Sequence, residues 1–330
     1  MESTRPPTTA ARRRRLAEEL VEEGLGFVLL PEGDDPLLDE LDYALRPPVH
    51  EQRVPSFGVM IEPTVPAESW SASTELSVSL RHTAGYGDDQ VRRFADGAAS
   101  WAVRLPSGID EFVVFDRPAG AERDLVVLAQ ATGARIVQRG DDGVVRIVGE
   151  FGVVRSTVSG WHHEPPLSSW IHDVPVCAPE GRQTVLGHLL DFAVHDLGAR
   201  HIGSLLVLHR TGDLPGAHEH RLPRPPELHI ERPYDLAPLR PGLSQSDGAS
   251  VFDATGMLRW MGVHLPPSRE AEEAVGPLGG TKHTSALRYS WDDPEAIVIV
   301  VSDDGPVTVM TAGQVVGRSP EDGTVTPVAD

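Results

Sequence analysis

The pattern of apolar positions in the second half of the chain predicts a helix followed by buried strands. Between Thr184 and Gly198, apolar residues recur at spacings of three and four, which is typical of a helix with one buried face. Thr184 can cap the start of this helix and Gly198 its end. The runs 202–208 and 296–301 are almost continuously apolar, which indicates strands covered on both faces.

A hairpin and a short helix are predicted between those two buried strands. Segments 250–253 and 257–263 flank Ala254-Thr255-Gly256, a sequence suited to a turn. A proline-rich excursion over 215–241 precedes the hairpin, and a short helix over 285–289 follows it. Strand 307–310 then returns from the turn at 303–306.

The first half of the chain shows a different alternation of short strands and helices. Leu76, Val78 and Leu80 alternate with Ser77 and Ser79, which predicts a half-buried strand. The predicted helices are 11–23, 37–45, 88–101 and 124–132. The predicted strands are 56–62, 75–81, 111–115, 134–138 and 144–149, and the last two form a hairpin around Gly140-Asp141-Asp142-Gly143.

These patterns predict an α/β protein with two domains, in agreement with a length of 330 residues. The C-terminal domain has a mixed central sheet flanked by helices. A smaller α/β or α+β domain precedes it. We expect a helical, partly disordered leader at 1–50, an N-terminal domain at 51–165, a proline-rich linker at 166–182, the C-terminal domain at 183–315 and a tail at 316–330.

Composition narrows the class of protein. The formal charge of −20 argues against a nucleic-acid partner. No apolar run reaches 18 residues, so no membrane span is expected. The single cysteine, Cys177, excludes an internal disulfide, which fits a cytoplasmic location. Arg12 to Arg15 precede an acidic stretch, so this run is interpreted as part of a solvated helix.

Candidate chemistry is concentrated in the glycine-rich stretch 278–286. Gly279 and Gly280 allow a ligand to approach the backbone. Hydroxyl and basic side chains follow directly, and such groups together with exposed amides suit a polyphosphate. On this stretch alone, an ordinary loop before a helix is an equally good interpretation. The residues that offer side-chain donors are Thr281, Lys282, His283, Thr284 and Ser285.

Asp247-Gly248-Ala249 is the second candidate, because it places a carboxylate and a bare backbone just before a strand. A carboxylate suits a hard cation bound to a nucleotide. Taken alone, the tripeptide is more typical of a turn.

Other polar constellations are interpreted as structural. His218-Glu219-His220 and His162-His163-Glu164 lack a third ligand at a recognised metal spacing, so both predict solvated loops. His188 and His195 are placed on the polar face of their helix. Cys177 is interpreted as a packing residue.

Together these segments resemble the diadenylate cyclase domain, the nucleotide-binding domain also found in the DNA-integrity-scanning protein. That family carries Asp-Gly-Ala, an apolar hairpin and Gly-Thr-Arg-His-Arg. Here the first motif is Asp247-Gly248-Ala249, and the third reads Gly280-Thr281-Lys282-His283-Thr284. Leu265, after the hairpin, stands at the family's adenine pocket. The resemblance covers about residues 183–315, and the N-terminal domain resembles the sensor modules that precede some of these domains.

The resemblance implies that two ATP molecules are condensed into cyclic di-AMP with release of two pyrophosphates. Asp247 would bind Mg²⁺ or Mn²⁺ and help to activate the 3′-hydroxyl, with Lys282 and His283 as further catalytic residues. One protomer would hold one ATP, so at least a transient face-to-face homodimer is implied. The nucleotide would be held by Gly248, Ala249, Leu265, Thr281, Lys282, His283, Thr284 and Ser285.

Two departures from the family pattern leave an alternative open. Lys282 replaces the first Arg of the third motif and loses bidentate phosphate geometry. Thr284 replaces the second Arg and removes a cation. The alternative is a catalytically weak sensor of ATP or a cyclic dinucleotide on the same fold, and an unrelated α/β interaction protein is the third interpretation.

Overall fold

The computed structural model describes residues 9–30, 35–49, 51–52, 54–74, 76–83, 86–168, 180–212, 214 and 223–319. Internal contacts divide the chain into an N-terminal unit within Met1–Pro166 and a C-terminal unit within Leu167–Glu321. Both units are mixed α/β structures, which confirms the predicted fold class. No helix in the described ranges has the length and apolar character that a membrane span requires.

The N-terminal unit is built on an eight-stranded sheet in the order β2-β4-β3-β1-β5-β6-β7-β8. Neighbouring strands are antiparallel except for β1 and β3, which are parallel. The strands are β1 (Phe57–Ile61), β2 (Val78–His82), β3 (Ser100–Leu105), β4 (Gly108–Phe115), β5 (Arg135–Arg139), β6 (Val145–Gly149), β7 (Gly152–Thr157) and β8 (Gly160–Glu164).

Helices cover both faces of this sheet. On one face, a buried cluster joins β1, β5 and β6 to Leu16, Leu20, Leu37 and Leu41. On the other face, a second cluster lies under Trp70 and the helix Glu122–Thr132. The helices are α1 (Thr9–Glu22), α2 (Pro36–Leu45), α3 (Trp70–Thr74), α4 (Asp88–Val91) and α5 (Glu122–Thr132). Residues assigned to a leader by the sequence thus supply part of the core of this unit.

The predicted helix over 88–101 is wrong beyond its first turn. Helix α4 ends at Val91, a 3₁₀ turn follows over Arg92–Phe94, and the chain then enters β3 at Ser100. Asp96 breaks the helix, because its Oδ1 accepts the N–H groups of Ala98 and Ser100 at 2.8 and 2.9 Å and so forms a local turn.

The interpretation of His162-His163-Glu164 as a solvated loop is also wrong. The three residues lie on β8, paired with β7, and His163 and Glu164 are buried. His163 Nε2 lies 2.8 Å from the carbonyl oxygen of Phe151, and its ring packs against Phe27. Ladder pairing and aromatic packing keep this polar tripeptide within the sheet.

The C-terminal unit is built on a six-stranded sheet in the order β11-β10-β9-β12-β13-β14. Only β9 and β10 are parallel; every other neighbouring pair is antiparallel. The strands are β9 (Ser204–Leu208), β10 (Ala249–Phe252), β11 (Leu258–Val263), β12 (Ile297–Val301), β13 (Val307–Thr311) and β14 (Gln314–Arg318). The predicted hairpin and the two buried strands are confirmed, and β14 runs into the predicted tail.

Helices lie on both faces of this second sheet. A large apolar cluster joins one face to α6 (Glu180–Phe192), to the π-helical turn Ala193–Leu197 and to α7 (Pro233–Ser244). The other face packs against Ala286, Leu287 and Tyr289. The remaining helices are α8 (Arg269–Ala274) and α9 (Thr281–Asp292).

Two further predictions change in this unit. Helix α7 begins within the predicted proline-rich excursion and runs past its end at residue 241. It keeps Pro238 and Pro241 inside it, because Leu236, Leu239 and Leu243 bury one face. His195 is buried rather than on a polar face, next to the fully buried Asp196. The motif His218-Glu219-His220 and Cys177 lie outside the described residues.

Candidate functional site

A cavity of ≈ 350 Å³ lies within the C-terminal unit, at the end of the sheet where β9 and β10 begin and β11 ends. The start of α9 closes it. The cavity therefore brings together the two stretches that the sequence singled out as candidates. Its lining residues are Gly203, Ser204, Leu205, Ser246, Asp247, Gly248, Gly262, Val263, His264, Leu265, Thr281, Lys282 and Ser285.

Asp247 and Gly248 form the edge of the cavity just before β10. Asp247 is exposed, and its Oδ1 accepts the N–H of Gly248 at 2.9 Å. Gly248 has a φ of 93°, and a Cβ there would lie 2.9 Å from the carbonyl carbon of Gly262. Only glycine fits without strain at this point, because the backbone is left-handed and packed against the next strand. The bare backbone that the sequence predicts at Gly248 is thus packed closely against the next strand.

Helix α9 begins four residues earlier than the predicted short helix, at Thr281 rather than Ser285. The motif is therefore the first turns of a helix and not a free loop. Gly280 at the N-cap makes no side-chain cap, and the first turn of α9, all of it described, contains no acidic side chain. The first N–H groups of a helix lack partners within it and carry partial positive charge. This end of the cavity favours an anion.

Lys282 adds a full positive charge to that helix end. It is the only lysine among the 330 residues, in which the other 28 of the 29 basic residues are arginine. Its Nζ lies 3.6 Å from Asp303 Oδ1. A Cβ on Gly203 would collide with the Asp303 carboxylate and lie 3.0 Å from Lys282 Nζ. The bare Gly203 therefore makes room for this pair at the mouth of the cavity.

Three residues predicted for the site do not line the cavity. Thr284 Oγ1 accepts the N–H of Leu278 at 3.0 Å and donates to the Leu278 carbonyl at 3.2 Å, so it closes the loop before α9. His283 Nε2 lies 3.5 Å from Ser302 Oγ, outside the cavity lining. Ala249 is fully buried in β10.

The charge state of His283 also differs from that of a phosphate-binding cation. Burial lowers the pKa of His283 below its ordinary value, and the positive charges of Arg318 and Lys282 lower it further. The ring is therefore neutral near pH 7. Among the described lining residues, Lys282 is the one permanent cation.

The floor of the cavity was not among the predicted site residues. Gly203, Ser204 and Leu205 lie at the start of β9, and Ser246 precedes Asp247. Ser204 opposes Val301 in the antiparallel pair of β9 and β12, so the turn carrying Asp303 comes next to it. The pair Gly203-Ser204 begins an apolar strand. The hydrophobic pattern assigns the pair to that strand and does not indicate a binding role.

A metal ion at this cavity would find few protein ligands among the described residues. In the described ranges, no group of three or more His, Cys, Asp or Glu side chains is placed to hold a metal ion. Asp247 is the one carboxylate that lines the cavity among those residues. A single carboxylate can serve a metal ion whose other ligands are phosphate oxygens and water.

Comparisons with known sequence families agree with the division of the chain into two units. Residues 191–315 match the family described as DisA bacterial checkpoint controller nucleotide-binding, DAC. The C-terminal unit is a DAC domain. Residues 14–164 match the family described as probable sensor domain DACNK. The chain thus joins a DACNK domain to a DAC domain, as the resemblance predicted, and α1 and α2 overlap the DACNK match.

Comparisons with individual proteins add little. No curated protein matches the chain. A crystal structure of a hypothetical membrane spanning protein from Bacillus cereus is similar to 41% of this chain, at 23% identity and a TM-score of 0.32. The match spans 66% of that protein, slightly less than two thirds of its length.

Proposed function

We propose that the DAC domain is a diadenylate cyclase, which condenses two ATP molecules into cyclic di-AMP and releases two pyrophosphates. The observation that carries this proposal is the convergence of Asp247-Gly248, Leu265 and the amino end of α9 on one cavity. A carboxylate, an apolar wall and a cationic helix end are what the metal, base and phosphates of a nucleotide require. A reaction that consumes ATP also fits the cytoplasmic location expected from the sequence.

The phosphates would lie against the first turn of α9. Lys282 would supply the cation, Thr281 and Ser285 the hydroxyl donors, and the amides of the first turn the remaining hydrogen bonds. The buried Leu265 would pack against the adenine, and Gly248 would admit the nucleotide to the backbone. Thr284 and His283 would act indirectly, by holding the loop and the helix start in place.

The residues present fit a divalent ion that enters with the nucleotide. Asp247 would hold it, and phosphate oxygens would complete its shell. Bound there, the ion would neutralise charge on the α-phosphate during displacement of pyrophosphate. The Asp247 carboxylate would also orient the 3′-hydroxyl whose oxygen forms the new bond to phosphorus.

Each cavity would hold a single ATP, so the reaction needs two copies of the chain. The 3′-oxygen of each nucleotide attacks the α-phosphorus of the other, and each attack breaks one bond to pyrophosphate. We therefore propose at least a transient homodimer with the two cavities facing each other, which predicts a rate that rises more steeply than linearly with protein concentration below the dimer dissociation constant.

A catalytically weak sensor of ATP or cyclic dinucleotide is the second candidate. The number of cations favours this second candidate. Lys282 is the single permanent cation among the described lining residues, whereas the family motif carries two arginines. Arginine at position 284 would lose both Thr284 bonds to Leu278, so that variant cannot restore a cation without disturbing the loop.

The deciding experiment is incubation of the purified protein with ATP and either Mg²⁺ or Mn²⁺, followed by mass detection of cyclic di-AMP. We expect product, and we expect Asp247→Asn to reduce the rate by about 100-fold or more while the circular dichroism spectrum is unchanged. Glu270→Gln is the matched control, because Glu270 is exposed in the same unit and does not line the cavity. A full rate for Asp247→Asn would refute the role of Asp247. ATP binding without product would favour the sensor.

A further inference from the structure

A polar stripe on helix α9 holds the segment of chain that leads into this helix. Thr284, Arg288 and Asp292 follow each other at intervals of four residues, so they lie along one face of α9. Each of the three side chains forms a hydrogen bond to the segment between β11 and α9. The bonded positions run backwards along that segment as the stripe runs forwards along the helix. The stripe therefore ties the whole connection to α9.

Asp292 makes the shortest hydrogen bonds of this stripe. Its Oδ2 accepts the backbone N–H of Ser268 at 2.7 Å, and its Oδ1 accepts the Ser268 hydroxyl at 2.5 Å. The Ser268 hydroxyl oxygen in turn accepts the N–H of Ala271 at 3.0 Å and so caps α8. Hydrogen bonds to a carboxylate are stronger than those between neutral groups. Because both carboxylate oxygens are engaged, Asp292 fixes the position and the orientation of Ser268.

Ser268 is joined to the wall of the DAC cavity by a stiff connection. Leu265 lines the cavity and is 4% exposed, and only Pro266 and Pro267 separate it from Ser268. Proline fixes its own φ and restricts the backbone of the residue before it. The orientation that Asp292 gives to Ser268 is therefore transmitted to Leu265 through residues with little backbone freedom.

Asp292 lies too far along α9 to act directly on phosphates at the start of the helix. The helix rise places it about 15 Å from Lys282 along the axis, and charges are screened within about 8 Å at physiological ionic strength. Asp292 does not line the cavity. An effect of this residue on the adenine can therefore be separated from an effect on the phosphates.

We propose that Asp292 is a positioning residue for the adenine of the bound nucleotide and acts through Ser268 on Leu265. The inference rests on the proposed function, in which Leu265 packs against the adenine and the start of α9 binds the phosphates. One end of α9 would then hold the phosphates, while the other end fixes the wall against which the base packs. A single helix would set the spacing between these two parts of the site.

The test compares two ligands that share the phosphates and differ in the nucleoside. A non-hydrolysable ATP analogue and inorganic tripolyphosphate are titrated into the full chain in the presence of Mg²⁺. Asp292→Ala removes both acceptors of Ser268 and should weaken binding of the analogue by about tenfold or more, while binding of tripolyphosphate stays within about twofold. Equal losses for the two ligands, or no loss for the analogue, would overturn the proposal.

Asp292→Asn separates the hydrogen bonds from the charge. Asparagine loses the charge but keeps a carbonyl oxygen that can accept from Ser268. This variant should therefore bind the analogue more tightly than Asp292→Ala does, and equal losses would mean that charge alone is responsible. Glu270→Ala is the control, because it removes an exposed carboxylate of the same unit outside the cavity. It should leave both affinities unchanged, and a loss equal to that of Asp292→Ala would contradict the assignment.

Ser268→Ala tests the path from Asp292 to Leu265. It removes the hydroxyl but keeps the backbone N–H, so it should weaken binding of the analogue less than Asp292→Ala. The loss in the double variant should be smaller than the product of the two single losses, because the two residues share a hydrogen bond. A loss equal to that product would show that Asp292 does not act through Ser268.

The unmodified chain distinguishes a failure of this inference from a failure of the proposed function. Unmodified protein that binds neither ligand would overturn the proposed function and the inference with it. Tight binding of the analogue that Asp292→Ala leaves unchanged would overturn the inference alone. Thermal unfolding of each variant is measured with its binding, and Asp292→Asn and Ser268→Ala carry the test if Asp292→Ala is unfolded at the temperature of the titration.

Discussion

The DAC cavity and a second cavity of ≈ 350 Å³ at the start of α5 in the DACNK domain each lie where a helix begins beside a sheet, yet the charges of the two helix starts differ. Helix α5 has Glu122 and Asp124 in its first turn, and Asp124 accepts the N–H of its N-cap residue, Ala121. Helix α9 has no acidic residue in its fully described first turn and carries Lys282 there. The start of a helix therefore attracts an anion only where its own first turn leaves the amides and the positive charge uncompensated.

The same contrast holds for what the carboxylates do in each unit. In the DACNK domain, the buried Glu122 forms ion pairs with Arg146 and Arg155, so it serves the fold. In the DAC domain, Asp247 is exposed at the cavity edge, and Asp303 is 86% exposed beside Lys282. These two carboxylates face solvent, whereas Glu122 is enclosed with its arginine partners.

The largest expected effect comes from reversing the charge of α9. Lys282→Glu should weaken ATP binding by about 100-fold, because it replaces an attraction to the phosphates with a repulsion. Titration with a non-hydrolysable ATP analogue measures the effect.

Arg269→Glu is the control for that reversal, because Arg269 is 87% exposed and outside the cavity. Since Lys282 is the only lysine, an amine-reactive reagent can modify only it and the α-amino group of the full chain. ATP should protect Lys282 from the reagent. Modification that proceeds equally with and without ATP would place the phosphates elsewhere.

The sequence predicted an element of the fold correctly where the evidence for that element lies in neighbouring residues. The apolar run 296–301 and the turn between β10 and β11 predicted their elements correctly, because burial on both faces and turn chemistry are written in consecutive residues. Asp247 and Lys282 were predicted as site residues because their motifs resemble a known domain, and both line the cavity. The order of strands in the sheet brings both residues to one cavity, and that order cannot be inferred from consecutive residues.

The failures arise where distant contacts override local preference. Trp101 continues a helical pattern in the sequence, but it lies fully buried on β3. Pro238 and Pro241 predict a loop, yet burial of three leucines holds α7 together. Gln138 gave no signal of its buried hydrogen bonds, since they go to two carbonyls about 20 and 40 residues away along the chain.

Gly248 holds the backbone in a left-handed conformation beside the DAC cavity. Gly248→Ala should destabilise the DAC domain by about 1–3 kcal/mol, because a φ of 93° is strained for alanine and the new Cβ would press on Gly262 and Val263. Gly276→Ala is the matched control, since a Cβ there meets nothing within 4 Å. Urea unfolding of both variants measures the difference. The transition that ATP shifts should move only for Gly248→Ala, and equal shifts for the two variants would contradict the account.

One substitution can give α9 an acidic first turn, the feature that distinguishes α5 from it. Thr281→Glu gives α9 an acidic residue at its first position, as Glu122 gives α5. The helix should be stabilised by about 0.3–1 kcal/mol through its dipole, while ATP affinity should fall by about tenfold. Thermal unfolding and titration on the same sample separate the two effects. Loss of both stability and binding would mean that the variant distorts the site instead of changing its charge.

The smallest expected effect is a difference in pH dependence between the two units. Burial lowers the pKa of both His163 and His283. Below pH 6.5 the unfolded chain takes up these protons before the folded one, so each histidine should make stability fall as the pH is lowered. Protonated His163 would place a donor on Nδ1, which is buried without a partner among the described residues, whereas His283 is only partly buried. The loss of stability should therefore be steeper for His163.

Urea midpoints at pH 7.5 and 5.5 for His163→Gln and His283→Gln measure this difference. We expect His163→Gln to flatten the pH dependence of stability more than His283→Gln. An equal or reversed order would show that partial burial in α9 costs the charged ring as much as full burial in β8.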